Sequence, residues 1–357
     1  MGKRAAAAAA AAAMALAAAG LLGAGCGGPK GPPYDHLSDY GYFTGDGSTQ
    51  EPVAGVVPYD VNAVLFADFA AKRRFIVLPD GGTIDYDPDA RWTFPVGTTI
   101  VKTFSYPYDM RAPDLGERLV ETRLLVRTAA GWTPHTYIWN DDQTDAVREV
   151  AGARIPVTWI DLAGVMQSHE YRVPNTNQCF GCHGDPGVTN ILGLRTRMLN
   201  RDFDYGAGPE NQLDYMEALG MFSAPLPPAA DRDALPDPFD PAAGTVDERA
   251  RAYLEANCAH CHSAAGAAQS TGLFLNIETT NPVDFGVCRT PFSAGNGTGG
   301  RLFDVVPGMP DASIMVYRME TTDPDIHMPE LPVQLVDPDG VALVRDWITG
   351  LTPPGCP

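Results

Sequence analysis

The sequence predicts an α+β multidomain protein, with a mainly β region over 34–173, a small helical segment over 174–224 and an all-α region over 244–357. Three observations lead there. Between 34 and 173, β-branched runs such as 75–78 and 98–104 are bounded by proline and glycine, as strands are. In the same region Val120, Thr122, Leu124 and Val126 alternate onto one face, and 129–131 turns the chain into 132–140, a hairpin pattern. Near the end the period becomes helical: Val341, Val344, Trp347, Ile348 and Leu351 share one stripe, and Gly350 can cap it.

The chain has 357 residues, 45% of them hydrophobic and 19% charged, which is a globular composition. Glycine (37) and proline (32) are abundant, so loops and turns take a large share. Acidic residues outnumber basic ones 44 to 25, a net charge of −19 that argues against nucleic-acid binding. Residues 1–4 are positively charged and 5–24 are almost all alanine and leucine, with small residues just before Cys26. That pattern is an export signal over 1–25, the alternative being a membrane span, for which alanine is too weakly apolar. The stretch 22–26 looks like a lipoprotein signal, although Gly23 stands where a branched aliphatic is usual, so Cys26 is expected to carry lipid and 26–33 to be a tether. No later stretch is apolar for the ~18 residues a span needs, so membrane contact is expected through the lipid only. The expected location is periplasmic, or on the outer membrane or cell surface.

Seven cysteines stand at 26, 179, 182, 258, 261, 288 and 356. Four of them fall into Cys179-Phe-Gly-Cys182-His183 and Cys258-Ala-His-Cys261-His262, both of the form CxxCH. Cysteines at i and i+3 lie on one side of a helical turn, where both sulfurs can add to the two vinyl groups along one edge of a haem. The histidine that follows can then place its imidazole on the iron. A zinc ribbon competes with this reading, but its cysteine pairs are usually ~15–20 residues apart, and these are far more distant. A redox CxxC also competes, yet needs no histidine next. Two covalently attached haem c groups are therefore expected, held by Cys179, Cys182, Cys258 and Cys261. Cys288 and Cys356 remain, and an oxidising compartment makes a disulfide the simplest pairing, two unpaired thiols being the alternative.

Around these motifs, 191–199 and 212–221 read as short helices, and 225–243 carries six prolines and reads as a surface linker. Thr245 with Glu248 forms a capping box. After it Val246, Ala250, Tyr253, Leu254, Cys258 and Cys261 fall on one side of a helix running into the second motif. Trp92, Trp132, Tyr137, Trp139 and Trp159 are expected in the core.

Residues 245–357 resemble a class I cytochrome c domain: CxxCH after the first helix, Met328-Pro329 about two-thirds along, and a closing helix. Over its full length the chain resembles secreted or lipoprotein di-haem c-type cytochromes. That resemblance is carried by 59–62 with 71–80, 94–97 with 101–104, 173–175 with 178–183, 257–262 and 328–331. It implies His262 as proximal and Met328 as distal ligand of the second haem, a thioether raising the potential. Met309, Met315, Met319 and His327 are the competitors, Met315 and Met319 being more simply core. At the first haem His183 is expected to be proximal. Met198, Met216, Met221 and His169 could complete the coordination, with Met198 ranked first because it lies fifteen residues on and can fold back.

No catalytic constellation stands out, and an electron-transfer protein is expected rather than an enzyme. Its acidic surface would steer it to a redox partner with a basic docking face. A di-haem peroxidase-like enzyme, and a redox-sensing or partner-binding module that uses the β region, remain the alternatives.

Overall fold

In the computed structural model the period-2 stretches become a six-stranded antiparallel sheet whose strands follow chain order. They are β1 (Val56–Tyr59), β2 (Ala71–Val77), β3 (Thr99–Pro107), β4 (Glu117–Thr128), β5 (Gly131–Trp139) and β6 (Ala146–Glu149). The structure describes residues 31–184, 190–292, 294–330 and 332–357, so Cys26 lies outside the described residues. Strands β4 and β5 form the expected hairpin, Thr128 pairing with Gly131 across a two-residue turn. Two further strands, β7 (Ala153–Ile160) and β8 (Met166–Val173), make a separate antiparallel ribbon beside β3.

Alternation gives the sheet two buried faces. Phe75, Val101 and Leu124 stand opposite one another and pack with Leu37, Tyr137 and Trp139. Their neighbours Ile76 and Ile100 point the other way, into a core shared with Ile191, Leu194, Leu199, Leu213 and Met216. Those residues belong to the segment after the sheet, built from α1 (Thr176–His183), α2 (Thr196–Leu199), the short pair β9 (Asp202–Asp204) and β10 (Pro209–Asn211), and α3 (Gln212–Ala218). Leu235, from the stretch read as a surface linker, is buried in the same core. So is Ala252 of α4 (Val246–Asn257).

The expected fold class is corrected here. The chain is mostly β and has no separate all-α C-terminal domain. Among the described residues its last third has three α-helices, α4, α5 (Ile314–Glu320) and α6 (Pro338–Gly350), of 12, 7 and 13 residues. Long irregular stretches divide these helices, pinned by isolated bridges such as Val287 to Val305 and Phe303 to Ser313. Tyr34–Pro357 form one compact unit. The physical reason is shared burial: α4 turns Ala250, Tyr253 and Leu254 toward α6 while Ala252 faces the sheet's core, so neither side closes its own core. Asn257, fully buried at the end of α4, accepts from the Phe66 amide and donates to the Val64 carbonyl, which ties the helix to the segment before β2.

Cys288 and Cys356 are joined in a disulfide that closes a sequence separation of 68 residues. Cys356→Ser is expected to lower stability by about 2–4 kcal/mol, through loss of that loop constraint on the unfolded chain. Urea unfolding of the variant beside the wild type reads this directly, and an unchanged midpoint would contradict it.

A second stability effect depends on pH. Asp304 is buried at 6% exposure, and desolvation raises its carboxyl from 3.8 to about 6, against the pull of Arg289 and Arg318. Between about pH 4 and pH 6 the folded chain thus keeps a proton that the unfolded chain has released. This group's contribution is fully present below the lower value and is lost as pH rises through that window, by up to about 3 kcal/mol. Melting curves of Asp304→Asn should lack that decline; a profile parallel to wild type would contradict the assignment.

Candidate functional site

The first CxxCH is carried by α1, whose start is fixed locally. The Asn175 side chain accepts from the Gln178 amide, and the Gln178 side chain accepts from the Asn175 amide, closing a capping box. One helical turn then sets Cys179 and Cys182 on the same side. The second motif is placed differently from expectation. Helix α4 stops at Asn257, with Cys258 as its C-cap, and the Cys261 and His262 amides both donate to the Cys258 carbonyl in a tight turn.

Tertiary structure brings the two motifs together. Ligand atoms of Cys182, His260 and Cys261 all lie within 4.8 Å of one another, and the Cys261 thiol is 3.8 Å from the Gly181 carbonyl oxygen. The Cys261 thiol and the His260 ring hold Cys182 below the ordinary thiol range, while the same contact pushes Cys261 up. Cys179 is raised by burial and donates to the Asn175 carbonyl. Burial raises Cys258 to about 12.

Cys179, Cys182, His183 and Met198 line a cavity of about 610 Å³, within the range of ligand sites. Its wall also includes His260 and, from the sheet, Lys102 and Arg123. The motif histidines are prepared in related ways. His183 Nδ1 sits 2.8 Å from the Asn190 carbonyl oxygen, and because a carbonyl only accepts, Nδ1 carries the hydrogen. That leaves Nε2 with its lone pair, the arrangement that orients a metal-binding imidazole. Desolvation lowers the His183 ring below the ordinary histidine value. His262 Nδ1 is buried with no partner in hydrogen-bond geometry, although the Leu273 backbone lies beside it. Burial lowers this ring to about 4.

Near the second motif, the Met328 amide donates to the Arg318 carbonyl, and the Arg318 charge in turn lowers His262. Met328 is half-buried. Its neighbour His327 is buried at 5% exposure, donates from Nδ1 to the Thr321 carbonyl and leaves Nε2 buried without a partner. Met315 and Met319 belong to the core between α4 and α6, and Met309 is exposed. Around the first motif, Met216 and Met221 are core residues away from the cavity, and His169 faces the Asp68 carboxylate at 3.3 Å.

Two features escaped sequence reasoning. His260 lies inside the second motif yet reaches across to Cys182, and nothing local shows that. Lys102 interrupts the β-branched run 98–104, a signal that could have been read as a charged group aimed into a site. Compared with known protein families, curated proteins and solved structures, the chain has no match. Among the described residues, no helix is long and apolar enough to cross a membrane.

Proposed function

We propose that the chain is an exported di-haem c-type cytochrome that carries one electron at a time, anchored by lipid at Cys26. One observation carries the reading: two CxxCH motifs, far apart in sequence, meet at the Cys182, His260 and Cys261 cluster, beside a cavity lined by Cys179, Cys182 and His183 of the first and by Ala259 and His260 of the second. The fit to a covalently held macrocycle is chemical as well as spatial. The cavity is of ligand size, it is lined by both cysteines of the first motif, and the half-buried His183 on its wall keeps Nε2 free to act as ligand because Nδ1 donates to the Asn190 carbonyl. When bound, the iron of each haem supplies reversible one-electron chemistry.

The chain's own residues have simple roles in this reading. Cys179 with Cys182, and Cys258 with Cys261, attach the macrocycles through thioethers, while His183 and His262 supply the proximal nitrogens. Met328 would supply a thioether to the iron of the second haem, and Met198, on the cavity wall, to that of the first. Buried apolar side chains on the cavity wall, such as Ile191 and Phe104, would keep water from the ring. The net charge of −19 favours a basic redox partner, with encounter slowing as salt rises. The test is production in a host able to attach haem. Intact mass should show two macrocycles per chain, and the reduced protein should show a low-spin covalent haem spectrum; a chain without added mass rejects the reading.

The Cys182, His260 and Cys261 cluster favours a second reading, a soft-metal site of two thiolates and one imidazole. Here the full chain would bind zinc at one equivalent when made without haem attachment, and His260→Ala would abolish binding. Under the haem reading the same substitution leaves both macrocycles in place.

A further inference from the structure

Strand pairing places three cations in a single row across the sheet. Arg74 of β2 stands opposite Lys102 of β3, and Lys102 stands opposite Arg123 of β4. All three lie on the face that carries Ile76 and Ile100, two residues along, and all three line the cavity that holds Cys179, Cys182 and His183. Like charges directly opposite one another destabilise a sheet. Two of the three are offset: Arg74 by Asp60 at 2.6 Å, and Arg123 by both carboxylate oxygens of Glu121. Lys102, between them, has no carboxylate within ion-pair distance among the described residues; its ammonium lies 4.9 Å from the centre of the Phe104 ring. In a chain with 44 acidic residues against 25 basic ones, an unpaired cation flanked by two others and facing a cavity is an arrangement for receiving an anion.

We propose that the row Arg74, Lys102 and Arg123 is a carboxylate-binding wall, and that it takes the propionate groups of the macrocycle attached at Cys179 and Cys182. The inference rests on the haem reading above and extends it, because it makes the six-stranded sheet a wall of the first cofactor site. Desolvation and the neighbouring Arg74 and Arg123 charges pull the Lys102 ammonium well below the ordinary lysine value, which is the cost that a bound carboxylate offsets. A cation beside the ring also favours its reduced form, which carries one more electron.

The experiment compares haem-loaded wild type, Lys102→Met and Lys102→Arg by intact mass and by redox titration followed in the visible spectrum. Two macrocycles are expected on all three proteins. In Lys102→Met the reduction equilibrium of one haem should shift about tenfold toward the oxidised form, about 59 mV for one electron. Lys102→Arg, which keeps the charge, should titrate with wild type. Unchanged potentials in Lys102→Met with both macrocycles present would overturn the inference while leaving the haem reading intact. A wild type without macrocycles would overturn both. In that case, succinate binding to the haem-free chain that disappears in Lys102→Met would assign the row to a free carboxylate instead of a propionate. Where Lys102→Met fails to load, Arg74→Gln removes the adjacent charge and carries the same expectation, with unchanged potentials again the overturning result.

Discussion

Replacing Cys179 and Cys182 by serine should leave the chain with one covalent macrocycle, and replacing Cys258 and Cys261 should leave it with the other. The four-fold variant should carry none. The effect is all or none because attachment is a pair of carbon–sulfur bonds, for which a hydroxyl is no substitute. Single variants separate the positions further: with Cys182→Ser or Cys261→Ser the remaining thiol of the pair still reaches the cofactor, so a weaker, partly labile product is expected. Intact mass before and after denaturation in acid distinguishes covalent from trapped haem. Retention of two acid-stable macrocycles in Cys179→Ser/Cys182→Ser would show that the first motif is not an attachment site. The zinc reading predicts the opposite pattern, in which Cys182 and Cys261 matter together and Cys179 and Cys258 do not, since only the former pair shares the cluster with His260.

Glu121→Ala is expected to destabilise the chain by about 3–5 kcal/mol, the cost of leaving a buried charge without its partner. Glu121 is fully buried and is the hub of the sheet's cavity face. Arg123 donates to its two carboxylate oxygens at 2.5 and 2.8 Å, and the Tyr171 hydroxyl donates at 2.7 Å, which ties the β7–β8 ribbon to β4. Without the carboxylate, Arg123 stands uncompensated beside Lys102, and the Tyr171 hydroxyl loses its acceptor. Urea unfolding should show a lower midpoint at an unchanged slope. In an Arg123→Met background the same substitution should cost markedly less, the coupling expected of groups in direct contact. Equal costs in both backgrounds would show that Glu121 acts through something other than Arg123.

Much of the local structure was legible. The β4–β5 hairpin was readable because its alternation and its small turn residues are both local signals, and α4 because the Thr245 and Glu248 capping box announces it. Met315 and Met319 read as core because their spacing matches a buried helical stripe. The all-α domain failed for a physical reason: helical period identifies a helix but not what its other faces touch, and Ala252 touches the sheet's core. The proline-rich stretch is mostly exposed, yet Leu235 within it is buried, because proline reports the absence of regular structure and says nothing of the burial of a neighbour. Cys26, the expected site of lipid attachment, lies outside the described residues.

By itself the sequence determined the chemistry available: four thiols in two CxxCH motifs with their histidines, three further cysteines, an acidic net charge and strands of alternating pattern. These are properties of residue type and short spacing, and no fold is needed to read them. Only the tertiary structure decided what meets what. It set Cys182 beside Cys261 and His260, opened a cavity against α1, and through strand register lined up Arg74, Lys102 and Arg123 along its wall. Register and docking are settled by burial summed over the whole chain, so residues dozens of positions apart acquire a shared site that no local pattern encodes.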